Sequence, residues 1–292
     1  MLLSSIHRAY GLYSLLNTSG LGDFMFLSSG ISGAPSFASL NEAHNRFNKS
    51  LEKLVTGLKI NRAGDDSAGL SIASKLTIQI QSRDSVFKNI GDGISASNTA
   101  GAGLSAIAND LQRIRELSVQ AANETNSPDE LNAIQAEVDA LKGNIDDFAS
   151  DTKFNGINLL DGSGGVTEIV TDTDGGSLDL DYSGDFSSGA LGVSTIDVTV
   201  PGGASAALNN IDLALEGVTA KLSELGAKEN ALDSIAEFNS IKQEAAFASR
   251  SRIIDTDTAG GLNEFQAAKV QAKLASSFIG LNQSLIMSLL PK

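Results

Sequence analysis

Apolar residues recur in steps of three and four along two stretches of the chain that lie far apart. The steps run through Leu104, Ile107, Leu111 and Ile114 in the first stretch, and through Ile211, Leu215, Val218, Leu222 and Leu225 in the second. This spacing places the apolar side chains on one face of a helix and is typical of a coiled-coil seam. Two such stretches predict long helices that pack on one another although they are distant in sequence.

The first helical region is predicted over residues 40–123, with one interruption. The interruption is the polar, Gly-containing sequence INRAGDDSAGL at residues 60–70, which we call the spoke. A second helix is predicted from Pro128 to about Ser150. Ser127 can cap it, Pro128 suits its first position, and the acidic pair that follows favours the positive end of the helix dipole. Its predicted core stripe ends at Phe148.

The middle of the chain, from residue 163 to about residue 203, changes to Gly, Ser, Thr and Asp. The alternating run SLDLDY at residues 177–182 follows a Gly-Gly pair and predicts a β-hairpin. Helix is predicted again over residues 206–252. After a predicted break at Gly260-Gly261, a last amphipathic helix should end at Pro291. The expected fold class is therefore mainly α: a long antiparallel helical bundle or coiled coil of both chain ends, with a small β-hairpin region in the middle.

Composition limits the function classes that fit this chain. Aromatic residues make up 5% of the 292 residues and Trp is absent, so a large globular core is not expected. The formal net charge of −14 argues against nucleic-acid binding, which needs clustered Lys and Arg. Lys and Arg are absent between Phe154 and Ala220, which predicts a solvated, polyanionic surface there. The absence of Cys excludes disulfides and Cys-based metal or catalytic sites.

Neither a membrane span nor a secretory signal is expected. No stretch has the length and apolarity that a membrane-spanning helix needs. The first residues, MLLSSIHRAYGLYSLL, lack the basic start of a secretory signal and are interrupted by His7 and Arg8. Export, if it occurs, therefore needs another route.

Four stretches of the chain resemble one known family. They are KSLEKLVTGLKINRAGDDSAGLSIASKL at residues 49–76, NDLQRIRELSVQAANETNS at residues 109–127, FNGINLLDG at residues 154–162, and the carboxy-terminal residues 248–290. In this order they resemble the amino-terminal signature, the long inner helix, the opening of the β-hairpin and the carboxy-terminal end of bacterial flagellin. The resemblance implies a structural subunit, not an enzyme, that polymerises into the flagellar filament for swimming and needs no cofactor.

The resemblance also implies that the segments of the chain form layers of the filament. The expected inner-tube helices are residues 25–65 and 256–292, and the expected outer helical domain is residues 66–162 and 204–255. Residues 163–203 are the expected short β-hairpin or variable region. Because this region has room for little beyond a hairpin, we expect a short form that lacks large outer domains.

The amino-terminal residues 1–24 have no counterpart in the family pattern. One hypothesis is that translation begins at Met25, and the alternative is a genuine extension.

Candidate assembly residues occur in three places. In the spoke, Arg62, Asp65 and Asp66 are expected to make polar contacts between neighbouring subunits. A second group matches positions that pack protofilaments and that, in some flagellins, are bound by the vertebrate Toll-like receptor for flagellin; it comprises Arg113, Arg115, Glu116, Leu117, Gln120 and Glu137. The carboxy-terminal candidates are Arg252, Asp255, Leu281, Leu285 and Leu289.

Chemical sites of other kinds are weakly supported. His7 and His44 are too few and too far apart for a His-rich metal site. The sequence DTDGG from Asp172 resembles the start of a calcium loop, but the twelfth position is Gly184 rather than a Glu, so a turn is expected. The spoke is not a phosphate loop, because no Gly-Lys-Ser/Thr follows.

The partners implied by the resemblance are other copies of the chain in a homopolymer, a flagellar export chaperone, the cap and the hook-associated proteins. A host Toll-like receptor is a further implied partner, whereas nucleic acid and membrane are not. The implied location is the extracellular filament, reached unfolded through the flagellar type III export apparatus. Two alternatives stay open: a hook-filament junction protein and, ranked lower, a cell-surface ligand-binding flagellin homologue.

Overall fold

The structure is a computed structural model that describes residues 20–289, apart from the side chains of residues 20–36, 282, 283 and 285–289. The helices in this range are α1 (Gly20–Thr56), α2 (Ser67–Ala121), α3 (Pro128–Asp151), α4 (Gly203–Ile254) and α5 (Thr258–Leu289). The strands are β1 (Lys153–Phe154), β2 (Ile157–Asn158), β3 (Gly165–Val170) and β4 (Ser177–Tyr182). The predicted fold class, mainly helical with a small antiparallel β region in the middle, is confirmed. Of residues 1–24, only residues 20–24 lie within the described range.

The chain divides into two compact units. The terminal unit contains residues 1–74 and 249–292, and the central unit contains residues 75–248. Helices α2 and α4 each have residues in both units. None of the described helices is both long enough and apolar enough to cross a membrane.

The core of the central unit is the predicted seam between α2 and α4. Leu104, Ile107, Leu111 and Ile114 of α2 are fully buried, as are Ile211, Val218 and Leu232 of α4. Arg115 contacts Asp212, whereas Ile80 contacts Gln243, so the two helices are antiparallel. Burying apolar side chains along this seam contributes about 25 cal/mol for each Å² removed from water.

Helix α3 begins at Pro128, as predicted, because a capping box holds its start. The Ser127 hydroxyl accepts the Glu130 N–H at 3.3 Å, and the Glu130 carboxylate accepts the Ser127 N–H at 2.7 Å. The prediction for Phe148 was wrong, because its side chain is exposed and the neighbouring Ala149 is buried. Ala149 lies four residues after the buried Ile145, so it continues the helical stripe that Phe148 was expected to end.

The β region contains two hairpins. Strands β1 and β2 are joined by Asn155 and Gly156, which both have positive φ values, 49° and 80°, as a tight two-residue turn requires. The predicted strand SLDLDY is β4, and it pairs antiparallel with β3 from Val170 opposite Ser177 to Gly165 opposite Tyr182. Leu180 and Tyr182 of β4 are buried against the helical core.

The segment after β4, residues 183–202, is more than a solvated surface, which corrects the expectation from composition. Phe186, Val193, Ile196 and Val198 are buried in the same core as the helices. The α3 side chains hold this segment through its backbone: Lys142 donates to the Ile196 carbonyl at 2.5 Å, and the Val198 N–H donates to Gln135 at 2.8 Å. The Ser188 N–H donates to Asp146 of α3 at 2.8 Å.

Several carboxylates of the middle region shape local turns. Asp161, Asp181 and Asp197 each stand two residues before a Ser or Thr, and each accepts that residue's N–H at 2.9 Å and its hydroxyl at 2.6 Å. These bonds, the hydroxyl bond first, hold the pKa of each of the three carboxyls below its usual value. The acidic residues are therefore turn-forming groups as well as surface charges.

In the terminal unit, α1 packs against α5. The rings of Phe47 and Phe265 lie 5.2 Å apart between centroids, and Lys53 is 3.8 Å from Glu264. In the same unit, Ile60, Ala73 and Ile254 form a small core of their own. The Lys59 N–H, directly before the spoke, donates to the Ile254 carbonyl at the end of α4 at 2.6 Å.

Helix α5 begins at Thr258, so the predicted break at Gly260-Gly261 was wrong. Asp257 accepts the Ala259 N–H at 3.0 Å at the helix start. A Cβ on Gly261 would lie 3.1 Å from Leu54 of α1, which is a tight approach. The second glycine therefore lets α1 and α5 pack closely, and it does not end the helix.

Candidate interaction surfaces

The three predicted spoke residues all have partners within the chain. Arg62 donates from Nε and Nη2 to Glu52 of α1 at 3.1 and 2.8 Å. Asp65 accepts the backbone N–H groups of Asn61 and Arg62 at 3.2 and 3.1 Å, and these two bonds lower the pKa of Asp65. Asp66 accepts the Gly69 N–H at 2.9 Å at the start of α2. The three side chains therefore first determine the conformation of the spoke itself.

The predicted surface on α2 and α3 centres on Arg113. Its Nε and Nη2 donate to one Glu137 oxygen at 2.9 and 2.8 Å, and its Nη1 donates to Glu116 at 3.0 Å. The Glu137 bond is the largest contribution to a raised pKa of Arg113, so the guanidinium is held in its charged form. All three side chains are exposed, so they present a mixed-charge surface to solvent.

The remaining members of this predicted group do not all reach the surface. Arg115 donates to Asp212 of α4 at 2.8 Å, and Gln120 is exposed near the end of α2. Leu117 is only 2% exposed and belongs to the core of the central unit. The structure thus brings Arg113, Glu116 and Glu137 together and places Leu117 beneath them.

The carboxy-terminal candidates lie at the end of α4 and along α5. Arg252 donates to Ser249 at 3.2 Å, and Asp255 accepts the Ser251 hydroxyl at 2.6 Å and forms a backbone bridge with Leu58. Leu281 is exposed. The side chains of Leu285 and Leu289 lie outside the described ones.

Helices α1 and α5 expose several large apolar side chains although they pack on each other. Among the described side chains, the exposed large apolar residues are Phe37, Leu51, Val55, Leu262, Val270, Leu274, Phe278 and Leu281. Large apolar groups concentrated on one helix pair mark an interaction surface rather than ordinary surface variation.

A further contact that the sequence did not indicate fixes the tip of the β3–β4 hairpin to α4. Lys242 donates to Asp172 at 2.9 Å, and this bond is the first cause of the lowered pKa of Asp172. Asn239 donates to the Thr171 carbonyl at 2.9 Å. Asp172 is thus engaged by a lysine. No local sequence pattern links the two residues, because they are 70 positions apart.

The described residues contain no group of three or more His, Cys, Asp and Glu side chains that could hold a metal ion. His44 is exposed on α1.

Paired terminal helices, exposed apolar residues on that pair and a separate helical core define a self-assembling structural protein. Residues 34–164 match the bacterial flagellin N-terminal helical region, and residues 208–290 match the bacterial flagellin C-terminal helical region. A flagellin of Halalkalibacterium halodurans is 36% identical over 240 residues, which cover 80% of this chain and 88% of that protein. Flagellin FlaB2 of Treponema pallidum is 31% identical over 271 residues, covering 87% of this chain and 95% of that protein. The chain belongs to the bacterial flagellin family.

A solved structure of a putative flagellar hook-associated protein from Vibrio parahaemolyticus is also similar. It has a TM-score of 0.56 at 14% identity and covers 65% of this chain and 100% of that chain. At this identity the likeness shows a shared fold alone, so the junction-protein alternative gains no advantage from it.

Family membership gives the function in outline. The chain is a structural subunit that polymerises into the bacterial flagellar filament for swimming motility, and its length is that of a short form of the family.

Proposed function

We propose that the terminal helices and the central unit form different layers of the filament. Residues 25–65 and 256–292 form the inner layer, residues 66–162 and 204–255 form the outer helical layer, and residues 163–203 form the variable region. The observation that carries this proposal is the exposure of Leu274, Phe278 and Leu281 on a helix that already packs against α1.

Two paired helices cannot bury both of their apolar faces. Helix α5 uses Phe265, Ala268 and Ala272 towards its own chain. Among its described side chains, the large apolar ones exposed to solvent in a single subunit are Leu262, Val270, Leu274, Phe278 and Leu281. Contacts with the terminal helices of neighbouring copies would remove these side chains from water, at a gain of about 25 cal/mol per Å². The inner layer therefore supplies apolar contacts that the single subunit lacks.

The experiment is a double substitution, Leu274→Asn with Phe278→Asn, compared with Gln271→Asn and Ser277→Asn on the same helix. We expect the apolar pair to prevent polymerisation, while the circular dichroism of the monomer retains the helical signal of the central unit. The control variant should polymerise like the parent. Normal polymerisation of the Leu274→Asn, Phe278→Asn variant would contradict the inner-layer role.

The polar candidates act at contacts between neighbouring subunits. Arg62, Asp65 and Asp66 shape the spoke and present charge to neighbouring subunits, as do Arg252 and Asp255 at the opposite chain end. Arg113, Arg115, Glu116, Gln120 and Glu137 set the register between protofilaments, with Leu117 supporting them from the core. Exposed charges along a helical interface commonly determine register in this way.

We propose a set of partners before and after assembly, and membership of the flagellin family supports this proposal. The subunit binds an export chaperone, leaves the cell unfolded through the flagellar type III export apparatus, and is added beneath the cap to a filament that hook-associated proteins join to the hook. In a strain without a working export apparatus, we expect the subunit to accumulate inside the cell. Undiminished subunit in the medium of that strain would contradict this route.

The surface around Arg113 is also the part that a host Toll-like receptor would bind. This proposal is supported by the exposed Arg113–Glu137 pair. Both residues match positions that the receptor contacts in some flagellins. Monomeric Arg113→Ala should lose signalling in receptor-reporter cells, whereas Lys153→Ala, an exposed residue elsewhere, should retain it. Equal signalling by both variants would contradict this partner.

A further inference from the structure

One stretch of the α2–α4 pair has polar residues facing inwards and apolar residues facing outwards. The inward positions of this stretch are Arg83 of α2 and Asn239 and Gln243 of α4. Arg83 is 8% exposed, Asn239 is 2% exposed, and Gln243 reaches the Ile80 carbonyl and Asp84 of α2 at 3.4 and 2.7 Å. They stand where the seam elsewhere has Leu, Ile and Val.

This polar stretch stabilises the subunit less than an apolar seam would. Arg83 Nε and Asn239 Oδ1 are buried and have no hydrogen-bond partner among the described residues. Burying a polar atom without a partner costs about 1–3 kcal/mol. Packing therefore stabilises the α2–α4 pair less around Arg83 and Asn239 than around Leu111.

On the opposite side of α4, apolar side chains face solvent. Phe238 is 57% exposed and Ile241 is 60% exposed, and the exposed Ala245 continues the same helical face. Glu237 and Glu244, two turns apart, lie along one edge of this face, and neither has an ion pair within residues 37–281. We call these five residues the acidic stripe.

Helix α2 carries a stripe of opposite charge. Ile78 is 62% exposed on the solvent face of the helix. Helical spacing places Lys75 on one side of Ile78 and Lys88 on the other, both exposed. Neither lysine has an ion pair in the part of the chain whose side chains are described. We call these three residues the basic stripe.

We propose that the acidic stripe on α4 of one subunit docks on the basic stripe on α2 of a second copy of the chain. The two stripes match in chemistry, because exposed apolar side chains on α4 and the exposed Ile78 on α2 lie beside charges of opposite sign. These charges have no ion pair among the described residues of the single chain. A contact between two different surfaces of identical subunits can be repeated from one copy to the next. Where the rotation between neighbouring copies does not close a ring, such a contact generates an open polymer. The proposal deepens the polymerisation function and rests on it.

The charge of the subunit adds a reason for such a contact. Copies with a net charge of −14 repel each other, so an interface between them is favoured where it brings cations against anions. In the central unit, Lys142, Lys221 and Lys242 are already paired within the chain. Of the central unit's lysines that have no ion pair among the described residues, Lys75 and Lys88 are the two on α2, so they are available to a neighbour.

Disulfide cross-linking tests the contact directly, because the chain has no cysteine of its own. Filaments of the double variant Ile78→Cys, Ile241→Cys should give a ladder of covalent multimers after mild oxidation. Filaments of Ile78→Cys, Leu213→Cys should give monomers only, since Leu213 is equally exposed on α4 but lies outside the acidic stripe. Absence of the ladder from the first variant, or equal ladders from both, would overturn the proposal.

Charge reversal gives a second and independent readout. Glu237→Lys with Glu244→Lys should raise the critical concentration for polymerisation about tenfold, and adding Lys75→Glu with Lys88→Glu should restore it. Unfolding of the monomer should be unchanged, because all four side chains are exposed. Failure of the added substitutions to restore assembly would overturn the docking. If these variants polymerise normally while Leu274→Asn, Phe278→Asn does not, the stripes are excluded and the inner-layer proposal stands.

Discussion

Asp65 and Asp66 combine a local backbone role with a negative charge, and substitutions can separate the two. Both carboxylates accept backbone N–H groups, Asp65 from Asn61 and Arg62, and Asp66 from Gly69. An Asn side chain keeps the accepting oxygen and removes the charge, whereas Ala removes both.

We expect Asp66→Ala to lower the free energy of unfolding of the monomer by about 1 kcal/mol, because the cap of α2 is lost. Asp66→Asn should leave monomer unfolding near the parent value and should still weaken filaments, because neighbouring subunits lose the charge. Chemical denaturation of monomers and the melting temperature of filaments measure the two effects. Parent-like filaments from Asp66→Asn would show that the charge has no role between subunits.

Asp110 on α2 is destabilising to the folded subunit at neutral pH. Its Oδ2 is buried without a partner among the described residues, and burial raises the pKa of this carboxyl. Because the folded pKa lies above the unfolded one, the charged form opposes folding above the raised pKa. The penalty disappears as the pH falls through that value.

Asp110→Asn should therefore raise the free energy of unfolding at pH 7 by about 1 kcal/mol. The difference from the parent should shrink as the pH falls through the raised pKa of Asp110 towards the ordinary value of an Asp carboxyl, because the carboxyl then takes up its proton. Thermal unfolding of the monomer at several pH values tests this. A gain that stays constant over the whole range would point to packing rather than charge.

At the scale of elements, the contact of α2 with α3 and the first hairpin depends on one glycine. A Cβ on Gly103 would lie 2.8 Å from Leu160 and would also overlap Thr152 at the end of α3. A Cβ on Gly101, half a turn earlier in the same helix, would have nothing within 4 Å. The two glycines thus differ in surroundings, although both weaken the helix backbone equally.

Gly103→Ala should destabilise the monomer, because α3 and the hairpin must move away from α2. Gly101→Ala should stabilise it by about 0.5–1 kcal/mol through helix propensity alone. Urea unfolding of the two variants beside the parent provides the comparison. A stabilising Gly103→Ala would mean that the neighbouring side chains relax without cost.

At the scale of the whole molecule, the dominant property is the excess of negative charge. Each subunit carries a formal charge of −14, and polymerisation brings many copies together. Repulsion between them is long-ranged at low ionic strength, where the Debye length is about 30 Å at 0.01 M, and short-ranged at 0.15 M, where it is about 8 Å.

Raising the salt concentration from about 0.01 to 0.15 M should lower the critical concentration for polymerisation several-fold. Light scattering of subunit solutions at increasing concentration measures it. A critical concentration that rises with salt would indicate that specific ion pairs between subunits outweigh the net repulsion.

The sequence predicted those features that local pattern determines. The Leu104–Ile114 and Ile211–Leu225 seams, the Ser127 cap and the strand at residues 177–182 need only helical period, capping chemistry and alternation. It failed where the deciding partner is distant. Gly261 lies inside α5, where its missing Cβ leaves room for Leu54 of α1. Gln135 and Lys142 of α3 hold the backbone of residues 183–202.

The candidate residues show the same limit. Their positions could be assigned from the sequence, but the burial of Leu117 and the intrachain partners of Arg62 and Asp66 depend on packing that local pattern does not report. The polar stretch at Arg83 and Asn239 was also missed. Polar residues in a helix are predicted to lie at the surface, whereas these two are buried.

The antiparallel pairing of α2 with α4 also sets the order of events in time. Arg115 and Asp212 are 97 residues apart in sequence, and Gln243 and Ile80 are 163 apart. Closing loops of this length costs conformational entropy before the contacts between the helices can form. Such long-range contacts slow folding. A chain that enters the filament amino end first therefore cannot form the α2–α4 seam until its last third arrives.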